Sequence, residues 1–420
     1  MECRFQLFLD GHWVDCAELR VYGNTSVLAY DPPYVFSLKD GLSLTYPVRI
    51  DEAEQESLPP FFYDLIPQGA GRKFLLNELK LADGPEADFA LACAGAFNPV
   101  GRVRIAEAVE YFQHHLARFP DADRDQGLHL EQVVERSEDF NERMHILGML
   151  ASGTTGVQGA APKFLLTQGH DGLWYGDAVL PDAQAAAHFI VKEPRGRTVE
   201  DVKVLRNEAA YMNVARAVGV RTHAALELRG NMLFIPRFDR EVRNGSVLRH
   251  HQESVASLAG LTGFGSSANL FDIVTAIRSV VTDPTGETIE FLKRDVLNLA
   301  MGNKDNHARN TAVQIVDGNV ALTPLFDFAP MYLDPEGIAR VLRWFHPTTR
   351  RQLDEWDTII EVMSLETVES ERIRVELAHF GKEISRLPEI MAEEGVDGDI
   401  IEFCRKAIEK QAHQLENLIV

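Results

Sequence analysis

The run Asn303-Lys-Asp-Asn-His-Ala-Arg-Asn310 carries the residue types best suited to chemistry. Asp305 and Asn310 have four residues between them. At that spacing a carboxylate can orient or deprotonate an attacking hydroxyl while an amide oxygen five positions on holds Mg²⁺, the division of labour in a phosphoryl-transfer loop. Seventeen residues after Asn310, Asp327 opens Asp-Phe-Ala within LFDFAP, where the metal-binding aspartate would belong. Ala329 replaces the glycine usual in that motif, so a flip of the segment is less expected. Upstream, Lys192 closes an apolar run, HFIVK, where a lysine is costly unless its charge is used; it is a candidate for phosphate contact. Glu208 borders the stripe Leu205, Ala209, Met212 and is a candidate partner for that lysine. Earlier still, Gly153-Thr-Thr-Gly156-Val-Gln-Gly159 spaces its glycines so that backbone N–H groups can approach phosphates.

Taken singly, these signals are common. An Asp-x4-Asn is usually a capped loop, a lysine–glutamate pair a structural ion pair, and spaced glycines a turn. Their order does the selecting: glycines, strand lysine, helix glutamate, Asp-x4-Asn, strand pair, aspartate.

The elements expected to hold them follow from periodicity. FQLFLDG and HWVDCAEL flank an Asp10-Gly11 turn and predict a hairpin, with VLAYD and LSLTYPV continuing the β-rich module. Helical patterns are expected from Phe61 to about Leu81 and near residues 131–151. In 188–192, His188, Ile190 and Lys192 share one strand face, and Phe189 and Val191 the other. A helix is expected over Val199–Val218, then strands THAALEL and MLFIPRF. After Arg240 the chain is expected to be mainly helical (about 252–262, 267–281, 286–301), interrupted by the strand pair TAVQIV and VALTP around Asp317-Gly318-Asn319. Near the end Ile401, Cys404, Ile408, Leu415 and Leu418 predict an apolar helix face. The expectation is an α+β, two-lobed, protein-kinase-like fold. It has a β-rich N-terminal module (1–115), a β-rich N-lobe (116–237) and a mainly helical C-lobe (238–420), hinged near Arg237.

Composition bounds the function. The 420 residues are 45% hydrophobic and 25% charged, which suits a globular chain of two or three domains. With 42 basic against 63 acidic residues the net charge is −21, which repels nucleic-acid phosphates and anionic membranes. Direct nucleic-acid binding by the chain alone is therefore not expected. No run approaches the roughly 20 apolar residues of a membrane span, and Asp10 comes too early for a signal-peptide core. Cys3, Cys16, Cys93 and Cys404 are too scattered for a disulfide scaffold or a CxxC metal site. A soluble, cytoplasmic protein is expected.

NKDNHARN, LTPLFDFAP, PRFDR (236–240), HQES (251–254) and GVQ…PKFLL together resemble the HipA family of toxin kinases. LDGHWVDCAEL, LSLTYPV and FFYDLIPQGAGRKFL are similar to the small β-rich domain that precedes that family's kinase core, so the resemblance runs from about residue 5 to 345. It implies a bacterial serine/threonine protein kinase using ATP and Mg²⁺. A helix-turn-helix, HipB-like antitoxin would restrain it and give it access to DNA only indirectly. Its protein substrates would be of the aminoacyl-tRNA synthetase kind. Carried onto this sequence, Asp305 is the catalytic carboxylate, and Asn310 and Asp327 are the metal ligands. Lys192 contacts phosphate, Glu208 supports it, and Arg237, Phe238 and His307 are nucleotide-binding positions. Gly153, Thr154, Thr155, Gly156, Val157 and Gln158 form the phosphate loop. Gly153 occupies the position where family members often autophosphorylate a serine, and Gly159-Ala160-Ala161 forms an apparent insertion. Autophosphorylation is therefore either lost or moved to Thr155, Thr154 or Ser152.

Two other classes fit parts of this pattern. A small-molecule kinase of the aminoglycoside type shares the Asp-x4-Asn logic, and an acidic surface suits a cationic substrate; the N-terminal β module argues against it. A pseudokinase serving as a co-repressor or binding module would not need all six chemical positions filled, as they are here.

Overall fold

Strict alternation builds the first strand. In β1 (Glu2–Leu9), Cys3, Phe5 and Leu7 are fully buried, as a period of two requires. Asp10 and Gly11 both take positive φ (49° and 84°), the two-residue turn whose twist matches a hairpin, and lead into β2 (His12–Tyr22). The register slips between Phe5 and Gln6. Cys16 is the extra residue, and it is buried beside Ala17. With β3 (Thr25–Tyr30), β4 (Ala53–Glu56) and β5 (Val103–Ile105) these strands form an antiparallel sheet of order β4-β3-β2-β1-β5. Helices α1 (Gly69–Leu79), α2 (Asp88–Gly95) and α3 (Ala106–Ala117) add Leu75, Leu91 and Phe112 to its core.

The computed structural model describes residues 1–37, 40–119, 126–144, 162–177, 179–335 and 337–418. The chain divides into two compact units: Met1–Arg195 with Leu228–Glu253 and Gly260–Phe264, and Gly196–Glu227 with Ser254–Ala259 and Gly265–Val420. The phosphate-loop candidates Gly153, Thr154, Thr155, Gly156, Val157 and Gln158, together with Ser152, lie outside the described residues.

The first unit holds a second sheet. β6 (Lys163–Gly169), β7 (Trp174–Gly176), β8 (Ala185–Lys192), β9 (Glu227–Arg229) and β10 (Met232–Pro236) run in the order β7-β6-β8-β10-β9. Its two faces feed two cores: Phe164, Leu166, Val191 and Phe234 join Trp174 in one, while Leu165 and Ile190 reach the core of the first sheet. The expected split of β8 into two faces is the split observed. A hairpin follows, β11 (Arg240–Arg243) and β12 (Ser246–Arg249), turning at Asn244 and Gly245 with φ of 53° and 75°.

Several expectations need correcting. The stretch after Arg240 begins with this hairpin, not with helix; Asn-Gly between β-prone runs is the signal that marks it. The 252–262 helix shrinks to Val255–Leu258, because His251–Ser254 is a strand. LSLTYPV is not a strand beyond one isolated bridge, Ser43 to Tyr46. Here the Glu253 carboxylate takes the place of a ladder partner: the Ser43 hydroxyl (2.7 Å) and the Leu44 N–H (2.8 Å) donate to it. The helix expected near 131–151 appears as Leu130–Val134 and Glu138–Arg143. Arg136, at φ 53°, breaks it, and the Ser137 hydroxyl caps the next turn by accepting from the Phe140 N–H.

The second unit is mainly helical. α4 (Val199–Ala217) starts with a reciprocal cap: Thr198 Oγ1 accepts from the Asp201 N–H, and the Asp201 carboxylate accepts from the Thr198 N–H, both at 3.1 Å. Then come α5 (Leu270–Val280), α6 (Pro284–Ala300), the hairpin β13 (Ala312–Val316) and β14 (Asn319–Leu322), α7 (Thr367–Ser385) and α8 (Gly398–Glu416). Ile401, Cys404, Ile408, Leu415 and Leu418 are all buried, as expected. The fold is thus α+β, β-rich in its first part and helical in its second. Among the described residues no helix is long and apolar enough to cross a membrane.

Candidate functional site

The second unit positions Asp305 by gripping the loop on both sides of it. Helix α6 ends at Ala300, and Gly302 follows at φ 70°. A Cβ at Gly302 would sit 2.9 Å from Cδ1 of Tyr332, so the turn demands glycine twice over. Asn298 on α6 accepts from Asn303 Nδ2 (2.8 Å), and Asn303 Oδ1 accepts from the Asp305 N–H (3.2 Å). One helical turn earlier, Asp295 accepts from Asn306 Nδ2 (3.1 Å). Asn303 and Asn306 are buried, whereas the Asp305 side chain between them keeps 30% of its surface exposed. A rigid floor under an accessible carboxylate is the result.

The loop then folds back on itself. Asn310 Nδ2 donates to the Asp305 carbonyl at 2.7 Å, which fixes the amide so that Oδ1 turns away from that contact. Oδ1 accepts no hydrogen bond among the described residues. An amide oxygen and the Asp327 carboxylate of the same unit are hard oxygen donors of the kind Mg²⁺ takes, so these residue types suit the metal. The His307 N–H donates to the Asp305 carbonyl (3.0 Å), and His307 Nδ1 accepts from the Arg309 N–H (3.2 Å). That bond assigns the ring proton of neutral His307 to Nε2, which lies 3.9 Å from Asp305 Oδ1.

Asp327 takes φ 54°, a left-handed backbone for a residue that is not glycine. Such positions cost of order 1 kcal/mol or more and concentrate at functional sites. The next residue explains what holds it there. Phe328 is buried and packs on Tyr211 of α4 (centroids 5.2 Å apart, 52° between planes). The Tyr211 hydroxyl donates to the Met301 carbonyl (2.9 Å), and the Tyr332 N–H donates to the Gly302 carbonyl (3.2 Å). Burial pushes the Tyr211 phenol well above its ordinary pKa, which keeps it a donor. Glu208 lies on α4 three residues before Tyr211 and is buried. Among the described residues no cluster of three His, Cys, Asp or Glu forms a metal cage.

In the first unit, Lys192 ends β8 and lies directly across from Lys163 on β6 and Leu233 on β10. Both lysines are buried. Arg237 has its guanidinium enclosed: it donates to Asp177 Oδ2 (2.7 Å), to both oxygens of Asp239 (2.9 and 2.6 Å) and to the Pro99 carbonyl (3.3 Å). Its N–H donates to the His188 carbonyl (2.9 Å). The side chain is a strut between the first module and the second sheet, and Phe238 beside it is half-buried.

Asp305, His307 and Asn310 are therefore brought together in one loop. Asp327 and Glu208 share their unit, and Lys192, Arg237 and Phe238 belong to the other. Sequence reasoning missed Asn303, Asn306, Asp295 and Lys163. The asparagines flanking Asp305 were a visible signal, since buried amides need partners, but Asp295 had none.

The HipA-like C-terminal domain family matches residues 155–387, and the HipA N-terminal domain family matches residues 13–106. "Putative kinase Y4mE" of Sinorhizobium fredii (strain NBRC 101917 / NGR234) is 25% identical over 308 residues, covering 70% of this chain and 69% of its own length. "Putative kinase Y4dM" of the same strain is 25% identical over 287 residues, covering 64% and 61%. Among solved structures, HipA of Shewanella oneidensis MR-1, in complex with HipB and operator DNA, superposes with a TM-score of 0.65 at 19% identity, covering 99% of this chain and 96% of its own. With one family domain spanning more than half of its length and a second ahead of it, the chain belongs to the HipA family.

Proposed function

We propose that this protein is an ATP-dependent serine/threonine protein kinase of the HipA type. The observation that carries the reading is the loop 303–310, in which buried asparagines hold a partly exposed carboxylate and the Asp305 carbonyl fixes the Asn310 amide. Asp305 orients the attacking hydroxyl and accepts its proton. Asn310 Oδ1 and the Asp327 carboxylate would hold Mg²⁺, which when bound would neutralise charge on the phosphates. Lys192 contacts phosphate oxygens, Lys163, directly across from it on the neighbouring strand, adds a second cation, and Glu208 is a further candidate on α4. With its guanidinium and N–H engaged, Arg237 leaves nucleotide contact to its carbonyl and to Phe238, while His307 sits beside the reacting carboxylate. Restraint comes from a HipB-like antitoxin, the kind of partner named in the Shewanella complex, and contact with DNA comes only through it.

The test is transfer from γ-labelled ATP with Mg²⁺ to cell lysate, comparing wild type with Asp305→Ala. Labelled lysate proteins from wild type alone support the reading. Transfer by the variant at near the wild-type rate refutes the role of Asp305.

A further inference from the structure

Asp295 is fully buried on α6 and joins two other chain segments to its helix. Its Oδ1 accepts from Asn306 Nδ2 (3.1 Å) and from Arg340 Nη2, and its Oδ2 accepts from Trp344 Nε1 (2.9 Å). Asn306 is the neighbour of Asp305. Arg340 and Trp344 lie downstream of Asp327, in and before the strand Leu342–Phe345. That strand is anchored in its turn: it pairs in parallel with Ala268–Asn269, and the Trp344 ring packs edge-on against Phe271 (4.8 Å).

Stability alone does not account for this arrangement. Replacing a buried ion pair by well-packed apolar residues is often neutral or stabilising. Here the Arg340 Nη1 group is buried with no hydrogen-bond partner, a further cost. Its Nε is spent on the Leu342 carbonyl (2.8 Å), which locks the guanidinium to the strand. A carboxylate that must bond a loop amide on one side and a strand's arginine and tryptophan on the other makes the place of each depend on the other.

We propose that Asp295 is a positioning residue for phosphoryl transfer. Through Asn306 it sets the height of Asp305, and through Arg340 and Trp344 it ties that height to the segment following Asp327. The inference rests on the kinase reading for its rate effect, but the loop's order can be read without it. A shift of about 1 Å in a reacting group costs on the order of 100-fold, so the expected loss lies within roughly 10- to 100-fold.

The experiment compares Asp295→Asn with wild type in the full chain. Asparagine keeps the shape but loses the charge and one acceptor, so the transfer rate constant should fall by about 10- to 100-fold while KM for ATP stays within about twofold. Hydrogen exchange at the His307 and Asn310 amides, which close the loop, should quicken while amides of α7 and α8 stay protected. Asn306→Ala leaves the Asp295–Arg340–Trp344 contacts intact and should reproduce both effects, which covers the case in which Asp295→Asn does not fold. Wild-type transfer and wild-type exchange in Asn306→Ala would overturn the proposal, as would a rate loss that only follows the folded fraction. A wild-type protein that transfers no phosphate would sink the kinase reading; the exchange at His307 and Asn310 would then decide the positioning role by itself.

Discussion

Replacing Arg237 by methionine should destabilise the first unit by roughly 3–5 kcal/mol, the range for stranding buried charges by removing one partner. The structure supports the full range because nothing around the guanidinium is wet: its side chain is 0% exposed, and those of Asp177 and Asp239 are 3%. Asp177 keeps Asn98, Thr167 and His188, and Asp239 keeps the Gly101 N–H, so the loss should not exceed that range. For a unit of this size each kcal/mol is worth about 2–4 °C, which puts the fall in its melting transition at roughly 6–20 °C.

The pH dependence gives a second handle on the same variant. Burial pushes both carboxyls up, but the Arg237 charge outweighs it, helped by the His188 hydrogen bond at Asp177 and by Arg240 at Asp239. Both are left below the ordinary range. Their contribution is therefore complete above the unfolded value of about 3.9 and is lost as pH falls through the lower folded values. In the variant, burial acts unopposed by Arg237, the carboxyls take up protons at higher pH, and acidification relieves the stranded charge. The gap between wild type and variant should be widest at neutral pH and shrink towards pH 4, as read by calorimetry across that range. A neutral-pH loss below about 1 kcal/mol, or a gap that widens on acidification, would refute the strut.

Other perturbations separate stability from chemistry. Asp327→Asn keeps a residue tolerant of left-handed φ, so the melting temperature should hold while labelled-phosphate transfer disappears. Gly302→Ala combines positive φ with a Cβ 2.9 Å from the Tyr332 ring; denaturant titration of the second unit should show a loss of about 1–3 kcal/mol. Tyr211→Phe removes only the hydroxyl that donates to the Met301 carbonyl and should cost about 0.5–1.5 kcal/mol by the same titration. Thr198→Ala removes the cap of α4 and should cost about 0.5–2 kcal/mol.

Much of the architecture could be read from local pattern. The Asp10-Gly11 and Asp317-Gly318 turns carry positive φ at both residues, so two neighbouring residue types suffice to announce a hairpin. The 3.6-residue period of α4 and of α8 is likewise a property of one segment. The failures occur where a distant group decides. LSLTYPV has the composition of a strand, yet Glu253, more than 200 positions away, takes the hydrogen bonds that a neighbouring strand would have taken. Asn244-Gly245 is the exception, a local signal that the helical expectation after Arg240 passed over.

The same division runs through the site. Asp305 and Asn310 were visible because their partnership closes within six residues of chain, where spacing alone implies proximity. Asp295 was invisible because its meaning needs three segments at once: it sits one turn before Asn298 on a helix, 11 residues from Asn306 and 49 from Trp344. Arg237 shows the converse. PRFDR resembles a motif of the family, but the motif does not say whether the side chain faces a ligand or a buried carboxylate. Only the enclosure of Asp177, brought in from the turn after β7, settles that its guanidinium is spent holding the first unit together. Asp305 keeps Asn303, Asn306 and Asn310 close in sequence, while Asp295 reaches Asn306, Arg340 and Trp344 only through the fold. A variant series for this protein should therefore be chosen from the hydrogen-bond partners of the loop 303–310 rather than from the motif itself.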